Sequence, residues 1–351
     1  MKKILAIDSF KGCLTSSEAN AAAAKAFPAD ELVQIPVSDG GDGMLEAFAN
    51  ALGAEKVKVR VKDPLMRSVD AEYAVKGDLA IIEVAQAIGL SLVPVEERDT
   101  LRETSYGAGQ LIADAIRRGC TQLIVGLGGT ATSDCGIGML RALIDKFSFG
   151  KPHQLFEQIA PIFEQHNIRI MIASDVNNPL LGENGAARVF APQKGASPDV
   201  VEQLERRAAK FAEMSKKHYD FDCSNKPGAG AAGGLGYALM QYMNADIQSG
   251  AELLLELLHF DELLHTADEV ITGEGSADKQ TLMGKLPSVI LEHCLEAKVP
   301  CRLIAGKVDN CEELLEAGFA KVQNINDNNK VGENPLDKEI AKRNITNTLL
   351  Q

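Results

Sequence analysis

Short runs of β-branched and aliphatic residues recur along the chain, each closed by Gly or Asp and followed by apolar residues at helical spacing. A strand buried on both faces reads as such a continuous run, and a helix covering it shows a period of three to four residues. KKILAID (2–8) leads into a helical stretch over 16–27, and LVQIPVSD (32–39) into one over 43–52. DEVITG (268–273), CRLIAGK (301–307) and KVQNIND (321–327) repeat the arrangement near the other end, with helices expected over 284–297 and 311–317. The alternation predicts an α/β fold whose doubly wound, largely parallel sheet draws strands from both chain ends.

The middle of the chain reads differently. KVKVRVKD (56–63), SVDAEYAVKG (68–77) and LAIIEVAQ (79–86) lie close together with turn residues between them, which predicts an antiparallel meander. A helix over 106–118 follows, with Leu111, Ile112, Ala115 and Ile116 at helical spacing, and then the strands TQLIVGL (121–127) and IRIMIASD (168–175). At 351 residues the chain exceeds the usual size of a single core. It is therefore divided into a discontinuous lobe (1–53 and 262–351) and an inserted mixed α/β lobe (54–261), with a ligand cleft expected between them.

Charge narrows the choice of partners. A net charge of −13 argues against a nucleic-acid or anionic-membrane surface, which would need clustered Lys and Arg. No run approaches the ~18 apolar residues of a membrane span, and the apolar stretch in MKKILAIDSF is too short for a signal peptide. The 7 cysteines are scattered, with no C-x-x-C pair, and read as reduced thiols in a cytoplasmic protein. A small anionic substrate stays possible, because the local field decides its binding.

Glycine clusters beside polar side chains are the main chemical signal: SDGGDG (38–43), GLGGTATSDCGIG (126–138), GAGAAGGLG (228–236) and TGEGSADKQ (272–280). Glycine lets backbone N–H groups converge on a phosphate, especially where a helix begins. No Walker A motif occurs, and the G-x-G-x-x-G match at 228–233 follows Lys226 and Pro227 where a dinucleotide fold needs a strand. For a single cluster, tight turns and close helix packing are an equal explanation. Asp8, Asp39, Asp175 and Glu274 stand at or just beyond the ends of expected strands, with Asp42, Asp134 and Asp278 in the adjoining loops. Open α/β sheets place ligands there, and phosphoryl transfer uses such carboxylates to hold Mg²⁺ and accept a proton. Each acid alone reads equally as a helix cap. Capping leaves unexplained why Lys11, Lys194 and Lys285 share the same kind of loop. The segment 175–196 fails the EF-hand spacing, the histidines form no metal-ligand pair, and no G-x-S-x-G elbow occurs.

These motifs are familiar in combination. DSFKG (8–12), SDGGDG (38–43), GLGGTATSDCGIGML (126–140), SDVNNPLLGENGAARVFAPQKGA (174–196), PGAGAAGGLG (227–236) and TGEGSADKQTLMGK (272–285), in that order, resemble the bacterial glycerate kinase family. The resemblance spans nearly the whole chain. It implies a two-lobed protein with one flavodoxin-like lobe, ATP-dependent phosphorylation of D-glycerate, commonly at the 2-hydroxyl, and Mg²⁺. By motif position, Asp8, Ser9, Phe10 and Lys11 fall on the family's N-terminal signature, Asp175, Asn177 and Asn178 on its central one, and Glu274, Asp278, Gln280 and Lys285 on its C-terminal one. Departures are the shortened stretch over 143–168, Ser276 and Ala277 where the family often has a basic residue and a leucine, and Ala191 where glycine is common.

The expected site follows. Lys11, Asp175 and Asp278 are the catalytic candidates, and Asp8, Ser9, Phe10, Asn177, Asn178, Gln280 and Lys285 contact the substrate. Gly128, Gly129, Thr130, Gly228, Gly230, Gly233 and Gly234 meet the nucleotide; Asp39, Asp42, Asp134 and Glu274 hold the metal. Two other readings stand beside this one: an NAD(P)-dependent hydroxyacid oxidoreductase, suggested by the parallel sheet, and a non-catalytic binding protein for a small anion. A homo-oligomer is compatible with the chain and is not specified by it.

Overall fold

A computed structural model describes residues 1–10, 12–37, 43–147 and 159–351. The chain forms two compact units, one from Met1–Asp39, Glu46–Leu52 and Gly250–Gln351, the other from Gly40–Leu45 and Gly53–Ser249. The strands in chain order are β1 (Lys2–Ile7), β2 (Glu31–Gln34), β3 (Glu55–Lys62), β4 (Ser68–Lys76), β5 (Leu79–Glu83), β6 (Gln122–Gly126), β7 (Arg169–Ala173), β8 (Asp246–Gln248), β9 (Glu269–Ala277), β10 (Cys301–Val308) and β11 (Lys321–Asn324).

The first unit holds a sheet of 5 strands in the order β11-β10-β9-β1-β2, all parallel. Numbered within this sheet the order is 2-1-3-4-5, that of the flavodoxin-like fold, whose switch point lies between its first and third strands. The α/β class expected from the sequence is therefore the one observed. The run KKILAI forms a central strand because five consecutive residues from Lys3 to Ile7 are buried, as a parallel strand covered on both faces requires. A capping box, Thr15 with Glu18, starts the helix Ser16–Ala24. Its buried face holds down the end of β1. Asn20 Oδ1 accepts from the Ile7 N–H at 3.1 Å, and Asn20 Nδ2 donates to the Ile35 carbonyl at 3.1 Å. Ser16 Oγ donates to the Ile7 carbonyl and accepts from the Val37 N–H at 2.9 Å. The chain thus leaves β1 at Asp8 from a fixed backbone.

Strand β9 is longer than its apolar run suggests. Its pairing with β1 ends at Ile7↔Gly273, while its pairing with β10 continues to Ala277↔Val308. Glu274 is consequently part of the strand and not of a loop beyond it, because one neighbour keeps supplying ladder partners after the other has ended.

Three helices of this unit meet at His293. The residue lies on Leu286–Ala297; its Nδ1 is 2.6 Å from Asp261 Oδ1 on Phe260–Leu264, and its Nε2 is 3.2 Å from Glu252 Oε2 on Gly250–Leu257. Phe260 packs edge-on to the ring at 5.9 Å. Burial opposes protonation of the imidazole, but the hydrogen bonds to Asp261 and Glu252 outweigh it and raise the pKa. A group with a raised folded pKa stabilises below its unfolded pKa, about 6.5 for histidine, and that contribution is lost as pH rises through the folded value. His293→Gln is therefore expected to lower the melting temperature most below pH ~6, with the difference from wild type shrinking in alkaline buffer. A difference independent of pH would show that the contact acts through packing alone.

The second unit holds a mixed sheet of 6 strands, β3-β4-β5-β6-β7-β8. The β3–β4 and β4–β5 pairs are antiparallel and form the expected meander; β5 through β8 run parallel. Strand β8 has no counterpart in the sequence reading, since three residues are too few to show a period of two. The core lies against the parallel half, where Leu111, Met139, Leu140, Leu235 and Tyr237 are fully buried. Among the described residues no helix is long and apolar enough to cross a membrane.

Candidate active site

In the first unit lie three of the expected acids, Asp8, Glu274 and Asp278. The Asp8 N–H donates to the Gly273 carbonyl at 2.9 Å, which sets Asp8 beside the residue preceding Glu274. Asp8 Oδ1 accepts from the Ser9 N–H at 2.6 Å. Glu274 is 9% exposed; its Oε1 accepts from Thr281 Oγ1 at 2.6 Å, and its Oε2 is 3.5 Å from Lys285 Nζ. Burial raises the proton affinity of this carboxylate, the Thr281 hydroxyl and Lys285 lower it, and the nearby Asp278 raises it again; the net shift is upward.

Asp278 caps the single 3-10 turn Lys279–Leu282, accepting from the Gln280 N–H at 2.7 Å while its own N–H donates to Thr281 Oγ1 at 3.0 Å. Thr281 thus ties the two acids together. The Gln280 side chain is exposed and that of Lys285 is partly so. Phe10 is placed otherwise than a substrate contact would be: its ring is 5% exposed within the hydrophobic core, and its N–H closes a turn on the Leu14 carbonyl at 2.9 Å. Lys11, Asp39 and Asp42 lie outside the described residues.

In the second unit a pocket of about 320 Å³ opens at the C-terminal ends of the parallel strands. Gly128, Gly129, Thr130 and Lys194 make its polar side, and Leu90, Leu127, Val176 and Phe190 its apolar walls. A turn holds the glycines in place: the Leu90 N–H donates to the Gly129 carbonyl at 2.8 Å and the Ala131 N–H to the Ile88 carbonyl at 2.9 Å. Lys194 is 3% exposed, and its Nζ donates to the Thr132 carbonyl at 2.7 Å with Thr130 Oγ1 at 3.5 Å. Burial pushes its pKa down to about 8, against the pull of Glu103 and Asp134.

The remaining glycines face protein. A Cβ on Gly230 would stand 2.3 Å from the Pro179 carbonyl oxygen, one on Gly233 2.1 Å from that of Thr132, one on Gly234 2.9 Å from Cys135 Cα, and one on Gly228 2.1 Å from Ile247 Cδ1. Their closeness to neighbouring backbone and side chains accounts for them without a ligand. Asp134 is similarly occupied. Its Oδ2 accepts from the Ser105 N–H and Oγ, both at 2.9 Å, and from the Gly138 N–H at 3.0 Å; its Oδ1 accepts from the Gly136 N–H at 3.1 Å. Such a carboxylate caps the start of the helix Ile137–Phe147 and does not suit a metal. Asp175 and Asn177 are exposed at the end of β7, on either side of the pocket residue Val176. Asn178 is used structurally, donating to the Asn184 carbonyl at 2.8 Å and accepting from the Gly230 N–H at 2.9 Å.

Among the described residues no group of three His, Cys, Asp or Glu is arranged so that it could hold a metal ion. Mg²⁺ needs less, one or two carboxylates with substrate phosphates and waters completing its shell. The buried Glu274 is one carboxylate of that kind.

The model of the Glycerate kinase family matches residues 3–350. The chain belongs to the glycerate kinase family. It is similar to the Glycerate 2-kinase of Escherichia coli, 40% identical over 88% of this chain and 86% of that one. The Glycerate kinase of Halalkalibacterium halodurans is 37% identical over 97% and 96%. Among solved structures, a protein assigned as glycerate kinase 2 from Salmonella typhimurium LT2 superposes with a TM-score of 0.83 at 33% identity, covering 100% of this chain and 96% of that one.

In this glycerate kinase family member the residues that sequence reasoning passed over are those defined by long-range contacts. Thr281 is an ordinary threonine in sequence, and only the turn that folds it back onto Glu274 shows its use. Glu83, 5% exposed at the end of β5, accepts from the N–H groups of Gly43 and Leu45 at 3.3 and 3.0 Å and so fixes the end of the SDGGDG segment. Glu103, 2% exposed, lies near Lys194. Lys194, noted in the sequence as a loop lysine but given no site role there, is bracketed by the proline and glycine at positions 192 and 195, which hold it in a rigid turn.

Proposed function

We propose that the chain transfers the γ-phosphoryl group of ATP to a hydroxyl of D-glycerate, the 2-hydroxyl being favoured, with Mg²⁺. The single observation that supports this most is the buried Glu274 at the sheet's switch point, hydrogen-bonded to Thr281 and set 3.5 Å from Lys285. A buried carboxylate of this kind is costly to a fold that has no use for it. Nucleotide is assigned to the second-unit pocket, whose apolar walls suit a base and whose glycine turn suits phosphates.

The first unit takes the acceptor chemistry. Lys285 and, from the sequence, Lys11 anchor the carboxylate of glycerate; Ser9 and Gln280 supply further polar contacts. Asp278, held by its own capping turn, orients the hydroxyl and accepts its proton. Glu274 is the carboxylate for Mg²⁺, which when bound neutralises charge on the phosphate oxygens. Asp175 is the second candidate for orienting the acceptor. The reading includes a cytoplasmic setting, in keeping with six buried free thiols.

Mixed with ATP, Mg²⁺ and D-glycerate, the protein is expected to release ADP only when glycerate is present. ADP release that ignores glycerate, or oxidation of NADH by hydroxypyruvate in place of it, would replace this reading.

A further inference from the structure

We propose that Lys194 binds the phosphate chain of the nucleotide. The inference rests on the assignment of nucleotide to the second-unit pocket and adds to it the group that recognises charge. An ammonium has three N–H donors. One is used on the Thr132 carbonyl at 2.7 Å and a second reaches Thr130 Oγ1 only at 3.5 Å, so donor capacity is left beside Gly128 and Gly129 on the pocket wall.

The side chain is 3% exposed, and no carboxylate of the described residues forms a direct ion pair with it. Glu103 and Asp134 act on it only through space. Taking a cation out of water without a partner in contact is unfavourable, and a polyanion entering the pocket completes what the fold leaves undone. Thr130 and Thr132, both buried, hold the Nζ at the glycine turn. The rigid turn Pro192–Lys194 carries the side chain there, so little rotamer freedom is lost on binding.

The test measures binding of adenosine, AMP, ADP and ATP to the full-length chain by calorimetry, for wild type and Lys194→Met, with circular dichroism as the folding control. A hydrogen bond to a charged group predicts that ATP and ADP bind roughly 10- to 100-fold more weakly to the variant, while adenosine and glycerate bind within about twofold of wild type on the same scale. Equal losses for adenosine and ATP, or a loss for glycerate alone, overturn the inference.

Val176→Trp, which fills the pocket, separates the two levels. If ATP affinity survives that change, the pocket assignment fails; if it is lost while Lys194→Met binds ATP normally, only the lysine inference fails. Should Lys194→Met not fold, the wild-type protein decides through 5′-fluorosulfonylbenzoyladenosine, which carries an electrophile at the end of an adenosine tail. The lysine nitrogen attacks sulfur, fluoride leaves and the proton goes to solvent. Peptide mapping should find the label on Lys194, and ATP should suppress it. Labelling elsewhere, or labelling undiminished by ATP, overturns the proposal.

Discussion

Gly233→Ala is expected to destabilise the second unit severely. The residue is left-handed, with φ 65°, and the added methyl would lie 2.1 Å from the Thr132 carbonyl oxygen and 2.7 Å from Ser133 Cα. The neighbours that would have to move are backbone, which cannot rotate away as a side chain end could. Backbone strain of roughly 1–3 kcal/mol and overpacking of a similar size add up, against a total stability of about 5–15 kcal/mol for a domain. The Thr132 carbonyl also accepts from Lys194, so the displacement reaches the pocket. Gly77→Ala is the control: φ is 62° but nothing lies within 4 Å of the new Cβ, leaving the backbone cost alone. Thermal melts of both variants would give a large drop for the first and a small one for the second. Similar drops would mean that left-handed conformation, and not crowding, sets the cost.

The second large effect is expected at Glu274. Glu274→Gln keeps the side chain's shape and its acceptor for Thr281 Oγ1 but removes the charge facing Lys285 and the proposed metal. Turnover should fall by roughly 10²–10³, the range seen when one electrostatic stabiliser is removed from an active site, with the Mg²⁺ concentration for half-maximal rate moving upward. The melting temperature should hold or rise, because a buried carboxylate is exchanged for a neutral amide. Unchanged turnover with lowered stability would make Glu274 a structural group and shift the metal to another carboxylate.

How much of this was legible in the sequence follows from the range of the interactions involved. Strands β1, β6 and β10 announce themselves because a buried parallel strand must be apolar at nearly every position. The meander is equally plain in the alternation of β3, EKVKVRVK. The full length of β9 was not legible, since EGSA (274–277) is polar and is held in the strand only by its partner β10. Glycine clusters were visible, but their purposes were not. Gly128 and Gly129 line a pocket while Gly228, Gly230, Gly233 and Gly234 let segments pack closely, and both need the same residue type. Asp134 illustrates the same limit: an acid after a strand reads alike whether it meets a metal or four donors of its own chain. The family motifs point to the acids and lysines as a set; which of them act on substrate depends on hydrogen bonds made across the fold.

The chemistry itself is most directly tested by phosphorus NMR on a mixture of the protein with ATP, Mg²⁺ and D-glycerate. The γ-phosphate signal should be replaced by that of a phosphate monoester on glycerate, at the 2-position, in step with ADP. Inorganic phosphate as the sole product, or an ATP signal that persists whether or not glycerate is added, would contradict the account.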